Sequence, residues 1–358
     1  WPDGVRRIFV FAAAFFVTLL GIEKNGFSTR RLLWLIGLAA LGYVNRADTV
    51  LASAPSLIWV SWRERKQWRT LVRPWMLGLT PAFGWTAFGV IYYGFPVPNT
   101  AFAKLAGGHY HAGFFHPNGL IYFANSLKWD PITLPTVGSA FAMAAVVWRR
   151  WKPRPMLVPP LIGLALLLIY ALRIGGDYMS GRLFALPFLI AALIIVELLP
   201  PSSQLPSLGV ALVATCIGLC GPRAPRRRQT QARREREPTG IIDDRAMHNA
   251  GALNRVVSDK DFKFGIARRQ RLDDPPQAMV WGATGYFGFQ RGPQQRTIDN
   301  LALSDALLAR LAARNPETGW GRGHLFRDLP EGYVATVETG QNPIADRSLH
   351  EYYDKLLI

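Results

Sequence analysis

Cysteine is scarce in this 358-residue chain, with only Cys216 and Cys220 present, and histidine occurs six times. The two thiols lie four positions apart inside an apolar segment, so they read as packing residues and not as a disulfide or a metal pair. The sequence also lacks a P-loop, a dinucleotide-binding glycine fingerprint, zinc-ligand spacing and a Gly-x-Ser-x-Gly nucleophile turn. That argues against soluble nucleotide chemistry. Acidic residues are few, 24 Asp+Glu against 41 Lys+Arg, for a formal charge of +17. Such an excess can signal nucleic acid, but here much of it lies in short loops between apolar runs, which is the positive-inside pattern of a membrane protein. Topology accounts for the charge, and no nucleic-acid partner is expected. The chain starts at Trp1 and carries no charged start, short apolar core and cleavage site of a signal peptide, so it reads as a piece lacking its N-terminus.

What the chain has in quantity is apolar sequence, at 50% hydrophobic and 12% aromatic residues. Runs of spanning or near-spanning length fall at 8–22, 31–46, 47–61, 73–94, 131–148, 156–174, 183–200 and 206–221, judged against the roughly 20 residues that cross a bilayer. That makes eight candidate helices. The second and third are short and separated only by Asn45-Arg46-Ala47-Asp48, as expected of a hairpin that does not fully cross. Basic clusters occur at 28–31, 62–69 and 148–154. With these on the cytoplasmic side, alternation places residues 45–48, 96–130, 175–182 and everything after 221 on the outer face. The tract 223–236, with seven arginines, resists this by charge alone, yet long domains translocate largely regardless of charge. It reads as a solvated linker lying on anionic head groups. The expected organisation is a helical polytopic membrane domain over 1–221, an Arg-rich linker over 222–237 and a small extracytoplasmic α+β domain over 238–358. In that last part, 278–281 and 333–337 read as short β runs, and 304–313 and 349–358 as helices.

The stretch Gly175-Gly176-Asp177-Tyr178-Met179-Ser180-Gly181-Arg182 stands between two of the apolar runs. Ionisable groups at a membrane boundary are costly and usually functional. The glycines permit a sharp turn and close approach to a ligand. Asp177 suits a general base or a divalent-cation ligand, or else an ion pair with Arg182 or Arg173 that locks the turn. Arg46 and Asp48 form a second outer-face pair, structural or part of a pocket wall. In the outer loop Pro96-Val97-Pro98-Asn99-Thr100-Ala101-Phe102-Ala103-Lys104, Asn99 or Thr100 is placed to cap a short interfacial helix that carries Lys104 at the membrane surface. That lysine either snorkels or, with Arg182, holds a phosphate. His109, His111 and His116 read as polar loop histidines, since no carboxylate motif completes a metal shell. Gly321-Arg322-Gly323-His324 either presents a cation and an imidazole to the membrane or is a plain glycine-rich turn.

Taken together, Tyr92-Tyr93-Gly94 followed by Val97-Pro98-Asn99-Thr100-Ala101-Phe102-Ala103-Lys104, then the 175–182 motif, resemble the C-type (GT-C) membrane glycosyltransferases. Within that class the mycobacterial terminal β-(1→2) arabinofuranosyltransferase group is the nearest resemblance, with weaker matches at Asp299-Asn300-Leu301-Ala302-Leu303 and Gly323-His324. The resemblance implies a multi-pass enzyme of the bacterial inner membrane that moves arabinofuranose or a related sugar from a polyprenyl-phosphate donor to an extracytoplasmic glycan or protein. It also implies an acidic catalytic residue in the first outer loop, which the opening residues Trp1-Pro2-Asp3-Gly4-Val5-Arg6-Arg7 do not match. The expected site has Lys104 and Arg182 on the lipid phosphate and Asp177 contacting sugar hydroxyls or a divalent cation. Asn99, Arg46, Asp48 and His324 complete it, with Lys104, Asp177 and Arg182 converging on one outer-face cavity roofed by the soluble domain. The rival is a non-catalytic transporter or scaffold for lipid-linked glycans. A transporter should show a polar path through the bilayer, whereas these spans carry few ionisable groups away from their ends.

Overall fold

The structure is a computed structural model that describes residues 2–105, 117–150, 154–199, 240–242, 277–282, 284–292, 295–314 and 324–356. The expected span at 206–221, the arginine tract, the three loop histidines and both cysteines lie outside the described residues. The chain forms two compact units, one of residues 1–87 with 114–229 and one of residues 88–113 with 230–358.

The first unit is helical. It holds α1 (Pro2–Asn25), α2 (Thr29–Asn45), α3 (Thr49–Arg63), α4 (Trp68–Gly78), the first part of α5 (Thr80–Tyr93) and, beyond the short α6 (Asn99–Leu105) of the other unit, α7 (Pro117–Trp129), α8 (Thr133–Arg150), α9 (Val158–Arg173) and α10 (Ala185–Leu198). α9 shows how local sequence sets its bounds. Pro159 and Pro160 stand in its first turn, where a missing N–H costs nothing. Gly175 and Gly176 end it in the left-handed region (φ 79° and 77°), and the Gly176 N–H returns to the Ala171 carbonyl at 2.9 Å, so the last carbonyls are satisfied.

Two apolar clusters bind these helices. Phe16, Leu164, Leu167, Ile190 and Ile194 centre one, and Leu19, Leu32, Leu35, Ile36 and Val60 the other. α3 packs on α9, α8 on α10, and α2 on both α1 and α4. At Gly163 a Cβ would stand 2.5 Å from the Ala52 carbonyl oxygen, so glycine lets the backbones of α9 and α3 touch, as small residues do in membrane helix pairs. Meanwhile Val10, Val17, Trp34, Ile58, Leu120, Val146, Ile162 and Val196 point outward and are exposed. An apolar coat on helices whose interior is also apolar is costly in water and ordinary in lipid.

Among the described residues two helices are long and apolar enough to cross a membrane, Arg7–Asn25 and Pro155–Arg173. A third is added if Asn118–Trp129 and Thr133–Arg149, bent by 101°, count as one span. α2, α3 and α10 cover other expected spans with helices of 17, 15 and 14 residues. The run at 73–94 is two helices and not one, since α4 ends at Gly78 and α5 begins at Thr80.

The unit has two chemically different ends. Glu197 at the close of α10 pairs with Lys24 at the end of α1 (3.5 Å) and with Arg154 just ahead of α9 (3.4 Å). α2 starts and α3 finishes at this same end, bringing Arg30, Arg31 and the 62–69 cluster to it. The turn at 45–48 and the loop at 174–182 therefore lie at the other end.

The second unit, described by itself, contains α6, strand β1 (Ala278–Val280), α11 (Thr284–Arg291), strand β2 (Arg296–Ile298), α12 (Tyr333–Thr339) and α13 (Arg347–Leu356). β1 and β2 pair in parallel with Met279 opposite Thr297, and α11 makes the crossover that a parallel pair requires. Ala103, Ile298, Ala302, Leu307, Leu308, Ala309, Tyr333 and Ile344 form its core. Two expectations are corrected. Residues 333–337 are helical, because Tyr333 and Thr336 bury at helical spacing and tertiary burial overrides the β preference of the run. Residues 304–313 form only a 3-10 turn at Leu308–Arg310, since Asp305 accepts from the Leu308 N–H at 2.8 Å and Asp299 claims the N–H groups before it.

Candidate functional site

In the first unit the site is built on the loop that leaves α9. Gly176 is placed so that a Cβ would meet Tyr122 Cβ and Cγ at 2.5 Å, which lets α7 press its Tyr122 directly onto the backbone turn. The Tyr122 hydroxyl, fully buried, donates to the Met179 carbonyl (3.0 Å) and accepts from the Leu183 N–H (3.1 Å). Its ring stacks on Phe184 with centroids 5.0 Å apart. One turn along, Asn125 accepts from the Ser180 hydroxyl at 2.7 Å. A single face of α7 thus grips both arms of the loop.

Within that grip Asp177 is 5% exposed. Its Oδ2 lies 3.2 Å from Arg182 Nη1, and its Oδ1 accepts from the Met179 N–H at 3.3 Å. The ion pair with Arg182 is the arrangement formed, and both carboxylate oxygens are engaged inside the loop. Arg182 keeps 30% of its side chain exposed. The second pair forms as well, with Arg46 Nε donating to Asp48 Oδ1 at 3.0 Å and Arg46 Nη2 meeting Asp48 Oδ2. Thr49 Oγ1 donates to the Arg46 carbonyl at 2.8 Å and fixes that turn.

The two pairs share a neighbourhood. Tyr170, on the last turns of α9, lies in the electrostatic field of Arg46, Asp48, Asp177 and Arg182, and Tyr122 in that of Arg46, Asp177 and Arg182. The close α3–α9 contact is what brings the 45–48 turn to the same end of the bundle as the 174–182 loop. Two guanidiniums, each steadied by a carboxylate and partly exposed, can present fork-shaped N–H donors to an anion at the end of an apolar bundle. Tyr122, Asn125 and Tyr170 are the residues that sequence alone missed. Their signal was faint, a polar i, i+3 pair on an otherwise apolar helix and a tyrosine near the end of a span.

The remaining candidates belong to the second unit. Asn99 begins α6, accepts from Arg310 Nη1 at 3.2 Å and donates to the Ser304 carbonyl at 3.4 Å. The Arg310 guanidinium lies over both Phe95 and Phe102, 4.1 and 4.0 Å from their centroids, in the corner these two edge-to-face rings make. Arg327 donates to the Ala103 carbonyl at 3.2 Å. α6, expected as a helix lying on the membrane, packs on this unit's core through the buried Ala103. Lys104 lies in α6, with its side chain outside the described residues. His324 is half-buried at the head of the irregular segment 324–330. In the Asp299-Asn300-Leu301-Ala302-Leu303 stretch the carboxylate accepts from the N–H groups of Leu301, Leu303 and Ser304 at 3.0, 2.9 and 2.9 Å. That motif is a loop former here. Among the described residues no group of three or more His, Cys, Asp or Glu is placed to hold a metal ion.

Over 157 residues the chain is 30% identical to a terminal β-(1→2)-arabinofuranosyltransferase of Corynebacterium glutamicum, an alignment that takes in 37% of this chain and 21% of that protein. The chain thus spans about a fifth of the length of the curated relative it matches. No family model matches, and no solved structure matches.

Proposed function

We propose that this chain is a membrane glycosyltransferase that moves arabinofuranose or a related sugar from a polyprenyl-phosphate donor to an extracytoplasmic cell-envelope glycan or protein. The observation that carries the proposal is the presence of two Arg–Asp pairs, Arg46–Asp48 and Asp177–Arg182, at the end of an apolar bundle opposite its basic end. The likeness to a terminal arabinofuranosyltransferase supports the sugar-transfer chemistry. By the positive-inside rule the basic end faces the cytoplasm, so in this reading the paired site faces outward from the bacterial inner membrane.

In this reading the phosphate leaves with negative charge, and fixed cations beside it stabilise the transition state most where water is excluded. Arg182 supplies the principal donors and Arg46 a second set. Asp177 orients Arg182, and a divalent cation is not needed for that role. Lys104 is proposed as a phosphate-binding residue of the second unit, with Asn99 positioning α6 and His324 as a substrate-binding residue.

The test is an assay of membranes carrying the protein against a panel of radiolabelled polyprenyl-phosphate sugars. Transfer from one donor is expected, with donor affinity lost in Arg182→Met and Lys104→Met. Unchanged donor affinity in both variants would sink the phosphate assignment. Absence of transfer from every donor would favour the scaffold or transporter reading.

A further inference from the structure

The basic end of the first unit carries a surface that sugar transfer does not use. Between α3 and α4 the chain makes a 3-10 turn at Arg65–Gln67, and α4 then packs on α2 through Leu71, Pro74 and Gly78. The opposite face is laid out in two stripes. Trp68, Val72 and Met76, spaced four apart, are 60%, 48% and 65% exposed. Arg69 and Arg73, each one residue further on, run beside them and are also exposed. At the corner itself Trp62 is exposed, and the guanidiniums of Arg63, Arg65 and Arg69 lie over the rings of Trp59, Trp62 and Trp68 at 5.5, 4.6 and 5.6 Å.

From residue 62 to residue 73 the sequence has five cations and one acid, Glu64, and Glu64 pairs with Arg63 at 3.6 Å. Lys24, Arg31 and Arg154 stand at the same end of the bundle. A cationic stripe alone would suit any polyanion. An exposed indole and aliphatic stripe at one residue's offset suits a partner that offers acyl chains and phosphates at adjacent depths, and that is the edge of a bilayer leaflet. Cation–π contact holds these guanidiniums close to the indoles, and Arg65 Nη1 also donates to the Trp62 carbonyl at 3.0 Å.

We infer that the α3–α4 corner is a docking surface for anionic phospholipid head groups of one leaflet, with Trp62 and Trp68 sunk at the head-group level and Arg65, Lys66 and Arg69 on the phosphates. The inference is independent of the glycosyl-transfer reading, because none of these residues belongs to the paired site.

Bromolipid quenching tests it on the whole chain reconstituted in phosphatidylcholine vesicles. The protein has 12 tryptophans, so the difference between the native protein and the Trp62→Phe/Trp68→Phe variant isolates the two indoles. Brominated phosphatidylglycerol should quench them more strongly than brominated phosphatidylcholine at equal mole fraction, and high salt should narrow the gap in the native protein. In Arg65→Gln/Lys66→Gln/Arg69→Gln the preference for the anionic lipid should fall roughly tenfold or more, since each juxtamembrane cation strengthens such binding several-fold. Equal quenching by the two lipids in the native protein overturns the inference, as does a gap that salt leaves unchanged. Indoles quenched by neither lipid would mean that another protein or a second copy covers the corner. Loss of the preference on adding millimolar inorganic phosphate would assign the site to a free anion instead.

Discussion

Tyr122→Phe is the sharpest probe of the paired site, because it removes one oxygen and keeps the ring that stacks on Phe184. That oxygen serves the Met179 carbonyl and the Leu183 N–H, and the ring that carries it is fully buried. Without it, two backbone groups in the loop lose their partner. An unsatisfied buried group costs about 1–3 kcal/mol, offset in part by no longer burying the hydroxyl, so a net destabilisation of about 2 kcal/mol is expected. The loop that holds Arg182 should loosen with it, and donor affinity should fall by about tenfold if about 1.4 kcal/mol of the effect reaches the guanidinium. The assay pairs thermal unfolding of the detergent-solubilised protein with donor binding. A Phe variant with native unfolding temperature and native affinity would refute the claim that Tyr122 clamps the loop. Weakened binding at unchanged stability would place Tyr122 on the ligand itself.

Other variants probe separate parts of the argument. Gly163→Ala should cost about 1–3 kcal/mol by overpacking, because the added Cβ meets the Ala52 backbone oxygen and not a movable side chain; a thermal shift near zero would mean that α3 and α9 can separate freely. Asp299→Ala should destabilise the second unit by on the order of 3 kcal/mol, since three N–H groups lose a charged acceptor, and proteolysis within residues 299–304 should speed up accordingly. The pH dependence of the second unit should show two arms. Burial raises the Asp305 carboxyl above its ordinary 3.8 despite hydrogen bonds from Leu308 and Tyr333, so its contribution to stability is full below 3.8 and lost as pH rises through the folded value. Asp346, lowered by the Ser348 hydroxyl and by the Leu349 and Ser348 N–H groups, contributes above 3.8 and is lost as pH falls below it. Pulse proteolysis of α12 in urea should therefore show the second unit growing more stable on mild acidification, and Asp305→Asn should flatten that rise.

The membrane character of the chain was legible from the sequence because it rests on composition and period. Long apolar runs with charge confined to their ends leave few alternatives, and the helices at 2–63 and 158–198 fall where those runs lie. The internal chemistry of the 175–182 loop was legible in part. Its glycines and its Asp–Arg pairing follow from local spacing, and so does the Arg46–Asp48 pair. The 333–337 run was misread because five residues of mixed propensity carry no decisive period. Its helical form comes from Tyr333 and Thr336 burying on a core assembled from distant parts of the chain.

The sequence by itself determined which segments are apolar, where the turns fall and which charged residues stand at them, since each of these depends on neighbours within a few positions. Only the tertiary structure decided what those residues face. That α7 supplies Tyr122 and Asn125 to the loop after α9 depends on a glycine contact across more than 50 positions, and no local pattern encodes it. The same is true of the placing of the two charged pairs at one end of the bundle, which follows from the packing of α3 on α9. It holds also for α6, whose Asn99 and Ala103 are taken up by Arg310 and Arg327 some 200 residues later. A seven-residue helix has too little surface to choose its own environment, so the choice fell to the chain that packs around it.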